Sequence, residues 1–185
     1  STLLKSVAQS NTFRYNFFMF NSIYGKVSAK KTQTLMLETG SEETGIIEWC
    51  FSVSDSSLDV FPNVGEKARV YAWLQHKDDN MNLFGFASER ERDTFFDLLK
   101  VDGVGPKLAL KILSNITASN LAVVLDDGDL ARLEKIPGIG KKTAQKMLLA
   151  LKGKLTFQED TVRIAVKNLS PWQDVISALC SMGYD

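Results

Sequence analysis

Two stretches of this chain combine glycines and lysines in a spacing suited to gripping an anion: KVDGVGPKLALKIL at residues 100–113 and KIPGIGKKTAQKML at residues 135–148. Seven of the fourteen aligned positions are identical, at an offset of 35 residues. Each copy reads apolar–x–Gly–apolar–Gly and then opens a helical run with Lys, Ala and Leu. Glycine permits positive φ and lets a ligand approach the backbone closely. The residues after the second glycine supply the unpaired N–H groups of a helix N-terminus, where the dipole also favours negative charge. The candidate contacts are Gly103, Val104, Gly105 and Lys107 in the first copy, and Gly138, Ile139, Gly140, Lys141, Lys142 and Thr143 in the second. Val101 and Val104, with Ile136 and Ile139, should plug the two loops into a core, and the small Ala109 and Ala144 should let helices pack closely. One such loop reads as an ordinary corner between helices. Two in register suit a ligand whose anionic groups come as a pair, such as the two strands of a nucleic-acid duplex.

Other chemistries fail on spacing. GVGPKLA and GIGKKTA lack the G-x-x-x-x-G-K-[ST] order of a phosphate loop, and Leu108 or Thr143 stands where G-x-G-x-x-G needs its last glycine. The single histidine, His76, lies on an expected hairpin tip, which leaves no histidine cluster for a metal and no histidine-activated nucleophile. Cys50 and Cys180 are far apart and read as buried thiols. Asp126, Asp127 and Asp129 form the tight acidic cluster outside the hairpins; they fall at a helix junction, where capping accounts for them. No catalytic residue, metal or cofactor is assigned.

Charge is balanced overall but not along the chain. Net charge is +0, yet residues 135–154 hold six lysines and no acid, while residues 38–66 hold seven acids and no base. Local potential, not net charge, decides where a polyanion lands. A length of 185 residues suits one or two domains, and no apolar run approaches the roughly 18 residues of a membrane span.

The elements that must position the loops change character near residue 87. Before it, IYGKVSAK, TLMLET, GIIEWCFSVS, KARVYAWLQ and NLFGFA read as short strands, with Ala68, Val70, Ala72 and Leu74 on one face of the fourth. Their number and length suggest a small closed or half-closed barrel, with hairpin tips at GSEETG and HKDDNMN. Beyond it, Ser88 and Glu91 have capping-box spacing, and short helices follow to about Leu155, with Asp129 as a further cap. The first eighteen residues read as upstream sequence before a start at Met19, or as a transit peptide; the former is preferred and they are excluded from the fold. Residues 158–169 read as a linker, and 170–185 as one amphipathic helix.

GVGPK and PGIGKKTA resemble helix-hairpin-helix DNA-binding motifs. The longer strings LLKVDGVGPKLALKILS and LEKIPGIGKKTAQKML, behind an FGF strand and a barrel, resemble the RuvA family, the DNA-binding subunits of the bacterial Holliday-junction branch-migration complex. The resemblance runs from Met19 to about Leu155 and again over 172–184. It implies a β barrel plus all-α architecture: an OB-fold barrel over 19–86, a tandem helix-hairpin-helix domain over 87–157, and, at 170–185, the first helix of an incomplete C-terminal domain that binds the motor. In that domain Trp172, Val175, Ile176 and Leu179 would face the motor. It also implies a non-catalytic cytoplasmic subunit acting in recombination, DNA repair and the SOS response. The partners would be four-way junction DNA, further copies of itself in a homotetramer and a hexameric ATPase motor, with an octamer and a junction resolvase left open. The resemblance makes Asp78 and Asp79 an acidic pin facing the junction crossover, where the residues alone would read as a solvated turn; a tip one residue longer than the family's leaves open which of the two faces the DNA. The alternatives are a generic duplex binder, a structure-specific nuclease and a protein-interaction scaffold.

Overall fold

Alternating inward and outward side chains build five strands: β1 (Ser22–Lys31), β2 (Thr34–Ser41), β3 (Gly45–Ser52), β4 (Lys67–Lys77) and β5 (Asn80–Phe86). They close into a barrel in the order β1-β2-β3-β5-β4. The computed structural model describes residues 21–77 and 80–155. The expected extension, the linker, the pin residues Asp78 and Asp79, and the terminal helix with Trp172, Val175, Ile176 and Leu179 lie outside the described residues. Strand β1 serves two neighbours, pairing through Ser22–Lys26 with β4 and through Lys26–Lys31 with β2, across a register shift between Val27 and Ala29. A parallel contact at Ser52 and Phe84 joins β3 to β5. Val27, Leu35, Leu37, Phe51, Val53, Ala68, Val70 and Ala72 fill the interior, and Leu74 is only half-buried. Cys50, expected to be buried, is exposed, because the alternation of β3 turns its neighbour Phe51 inward.

Among the described residues six helices accompany the strands: α1 (Asp55–Val60), α2 (Glu89–Leu99), α3 (Pro106–Asn115), α4 (Ala118–Asp127), α5 (Leu130–Glu134) and α6 (Lys141–Leu151). Helix α1 departs from the expected run of strands. Its signal is a cap, the Ser54 hydroxyl accepting the Ser57 N–H at 3.0 Å, in a segment too short to show helical period. Helix α6 ends at Leu151, four residues before the expected Leu155, and Gly153 then turns with φ +69°. Among the described residues no single helix is long and apolar enough to cross a membrane.

The FGF strand explains how barrel and helices share material. Phe84 and Phe86 point out of the barrel into the helical core, so Gly85 points in, where a Cβ would lie 2.8 Å from Val70 Cγ1 and 3.0 Å from Phe51 Cβ. On β4, Tyr71 and Trp73 likewise turn away from the barrel interior and pack on the helical core. Trp73 stacks on Phe84 at 5.2 Å and meets Phe96 edge-on at 5.3 Å, while Phe86 lies 5.0 Å from Phe95.

Polar contacts fix the same junction. Ser88 caps α2 by accepting the Glu91 N–H at 3.1 Å. The Glu91 carboxylate does not return to the cap. It accepts the Ala87 N–H at 3.0 Å, the Ser54 hydroxyl at 2.6 Å and the Ser57 hydroxyl. Both serines are buried. Arg92, also buried, donates to Asn21 Oδ1 at 2.7 Å and lies over the Tyr71 ring. Helix α1 reaches the far end of α3: the Ser56 hydroxyl donates to the Leu113 carbonyl at 2.9 Å, and the Asp55 N–H to Ser114 Oγ at 2.9 Å. Replacing Glu91 with Ala strands two buried hydroxyl donors, while the Ala87 N–H keeps Ser57 Oγ at 3.2 Å, and should cost about 2–4 kcal/mol of unfolding free energy. Denaturant titration measures it; a loss below about 0.5 kcal/mol, the range of a plain surface substitution, would show that the carboxylate does not tie the two parts together.

Candidate nucleic-acid interface

The two repeated loops fold alike, hydrogen bond by hydrogen bond. In the first, the Val101 N–H donates to the Leu98 carbonyl at 3.1 Å, Val104 to Val101 at 3.0 Å, and Ala109 to Gly105 at 2.9 Å. In the second, Ile136 donates to Leu133 at 3.1 Å, Ile139 to Ile136 at 3.0 Å, and Ala144 to Gly140 at 2.9 Å. Gly103 and Gly138 hold the turn at φ +88° and +97°, a region where a side chain is strained. Gly105 and Gly140 sit at φ −93° and −94° and serve as the N-caps of α3 and α6.

Val101, Val104, Ile136 and Ile139 are buried, as the plug reading required. Val104 and Ile139, which are also among the candidate contacts, turn their side chains to the core and donate their N–H groups inside the loop. Gly103, Gly105, Lys107, Gly138, Gly140, Lys141 and Lys142 are exposed, and Thr143 is half-buried. Among the described residues no carboxylate pairs with Lys107, Lys141 or Lys142.

Two observations set these helix starts apart from the other described ones. Side chains cap α1, α2, α4 and α5, through Ser54, Ser88, Thr117 and Asp129. Helices α3 and α6 have no such cap. At Gly105 and Gly140, moreover, φ suits any residue and a Cβ would meet nothing within 4 Å. Neither strain nor crowding inside the chain calls for glycine there. Glycine is a favoured cap by itself, and here it would also let an outside group approach the backbone; the open N–H groups and helix dipole would suit an anion.

The repeats also touch each other. Leu108 of α3 lies against the second loop, where a Cβ on Gly138 would come within 3.0 Å of its Cδ1. Lys146 of α6 reaches the first loop, with Nζ 2.6 Å from Asp102 Oδ2. That hydrogen bond, reinforced by the lysine's charge, holds the Asp102 carboxyl below its usual range. Lys146, its repeat counterpart Lys111, and Asp102 were not among the candidate contacts, although the lysines recur in register at the twelfth position of each copy. Of the acidic cluster, Asp129 caps α5 through the Arg132 N–H and Asp126 accepts the Gly153 N–H, each at 3.0 Å.

Comparison with known proteins gives two matches to family models and a set of relatives. Residues 19–85 match the RuvA N terminal domain, and residues 95–154 match the SAM-like helix-hairpin-helix tandem. The chain is 46% identical over 168 residues to the Holliday junction branch migration complex subunit RuvA of Treponema denticola, covering 90% of this chain and 81% of the relative. It is 42% identical to the protein of the same name in Treponema pallidum, covering 90% and 78%. It is 34% identical to that of Actinobacillus pleuropneumoniae, covering 90% and 85%.

Alanine at Gly105 or Gly140 should leave unfolding free energy within about 1 kcal/mol of the parent, since the loss of a good cap residue and the gain in chain stiffness oppose each other. The same variants should bind duplex DNA about tenfold more weakly, because a methyl group stands where a phosphate approaches. Fluorescence anisotropy with a labelled duplex checks this, and undiminished binding in both variants would remove the loops from the interface.

Proposed function

The chain belongs to the RuvA family, and on that premise we propose that it binds four-way (Holliday) DNA junctions as the non-catalytic, DNA-holding subunit of an ATP-driven branch-migration complex. The observation that carries this is the doubled, uncapped glycine start of α3 and α6. Backbone amides after Gly105 and Gly140 take phosphates, and Lys107, Lys141 and Lys142 add full charges beside them. Such contacts read the sugar-phosphate backbone and not the bases, so recognition follows the shape of the DNA and not its sequence. One loop for each strand of a duplex arm accounts for the duplication.

Four copies around the crossover would give each arm one pair of clamps, so a homotetramer fits the ligand's symmetry. Asp78 and Asp79 serve as the pin: carboxylates repel phosphates over a Debye length of about 8–10 Å and keep strands apart at the centre. The terminal segment with Trp172, Val175, Ile176 and Leu179 engages the hexameric ATPase motor, and the complex works in the cytoplasm.

A mobility shift with matched four-way and linear duplexes tests the reading, run beside a mass measurement of the native protein with and without junction. Equal affinity for the two DNAs would make the protein a generic duplex binder; cleavage of the junction with Mg²⁺ would make it a nuclease.

Charge reversal at Lys141 and Lys142 should weaken junction binding and flatten its salt dependence by about 0.9 log units for each phosphate no longer neutralised; an unchanged slope would take these lysines out of the interface. Replacing Asp78 and Asp79 with Asn should keep junction binding or strengthen it while reducing the preference for junction over linear duplex. An unaffected preference would end the pin assignment.

A further inference from the structure

The first clamp carries its own counter-anion. Asp102 directly precedes Gly103, its side chain is 88% exposed, and it holds Lys146 Nζ at 2.6 Å across the two repeats. The internal repeat supplies a built-in control. Where the first loop has Asp102 the second has Pro137, and where α6 has Lys146, α3 has Lys111. Lys111 leans on the second loop as Lys146 leans on the first, its Nζ 4.0 Å from where a Cβ on Gly138 would sit. Among the described residues it meets no carboxylate there. Two lysines thus occupy matching places against opposite loops, and only one is neutralised.

We propose that Asp102 is a specificity-setting residue that loosens the first clamp, by occupying Lys146 in the free protein and by opposing the phosphate that approaches Gly103 and Gly105. The second clamp has no such residue, so each duplex arm is held firmly by one strand and loosely by the other. An exposed pair of this kind is weak, so Asp102 loosens the clamp without shutting an arriving strand out. The asymmetry suits a protein through which DNA must move: the firm clamp keeps the arm in register while the loose one releases first. This rests on the junction-binding reading for its purpose, though not for its geometry.

The test is Asp102→Asn in the full chain, with dissociation constants for an immobile four-way junction measured from about 50 to 200 mM salt. Binding should tighten about threefold or more at the low end. The slope of log K against log salt should steepen by about 0.9 for each Lys146 delivered to a phosphate. Hydroxyl-radical footprinting should show added protection confined to one strand of each arm. The double variant Asp102→Asn with Lys146→Gln should return the slope to that of the parent. A single variant with the parent's affinity and slope would overturn the proposal, as would a steeper slope that persists once Lys146 is replaced. Because each clamp also meets linear duplex, the same comparison on linear DNA tests Asp102 even where the parent shows no junction preference, an outcome that would sink the junction reading alone.

Discussion

A helix that begins at glycine leaves its first N–H groups to whatever acceptor arrives, and the rest of this fold keeps two such beginnings open and side by side. The N–H donors cannot be moved without moving a helix. Helices of ten or eleven residues are marginal by themselves. The clamps are therefore only as well placed as the core that holds α3 and α6. Ala109, Ile112 and Leu113 of α3 and Ala144, Met147 and Leu151 of α6 are all buried in it, and alanine at equivalent places in both repeats lets the helix starts approach their neighbours.

The barrel acts as the far anchor of this arrangement. Helix α3 leaves its N-terminus open and packs its C-terminus on α1, where Ser56 satisfies the Leu113 carbonyl that the helix itself leaves unpaired. Glu91 ties the barrel's Ser54 and Ser57 to the start of α2, the helix that runs into the first loop. Aromatic contacts from β4 and β5 to Phe95 and Phe96 add a broad apolar seam beside these directional bonds. The result is one continuous path of contacts from barrel to clamp, with few single bonds free to rotate along it.

What could be read from residues in order was whatever depends on near neighbours. The strands follow from alternation, α2 and α5 from the caps Ser88 and Asp129, and the matching folds of the two loops from their glycines in register. Helix α1 escaped because its six residues have no period, and its serines are explained by Glu91 and Leu113, more than 30 positions away in the chain. The apolar type of Val104 and Ile139 was enough to mark them as core plugs, and their burial and internal N–H bonds agree. The Asp102–Lys146 pair spans 44 residues and two repeats, a distance over which a sequence pattern carries no register.

Gly105 and Gly140 show how little stability the chain gives up for its open helix starts. Relative to Ser or Asp, a glycine cap costs only a few tenths of a kcal/mol, whereas a capping oxygen would accept the very N–H groups that a phosphate needs. Four other helices in the same chain take the Ser, Thr or Asp cap, so nothing in the fold forbids it. Two helices, at matching places in a repeat, instead begin at glycine with no side-chain cap bond. The remaining difference between the repeats, Asp102 in one loop and Pro137 in the other, falls at exposed positions beside these helix starts and not in the core.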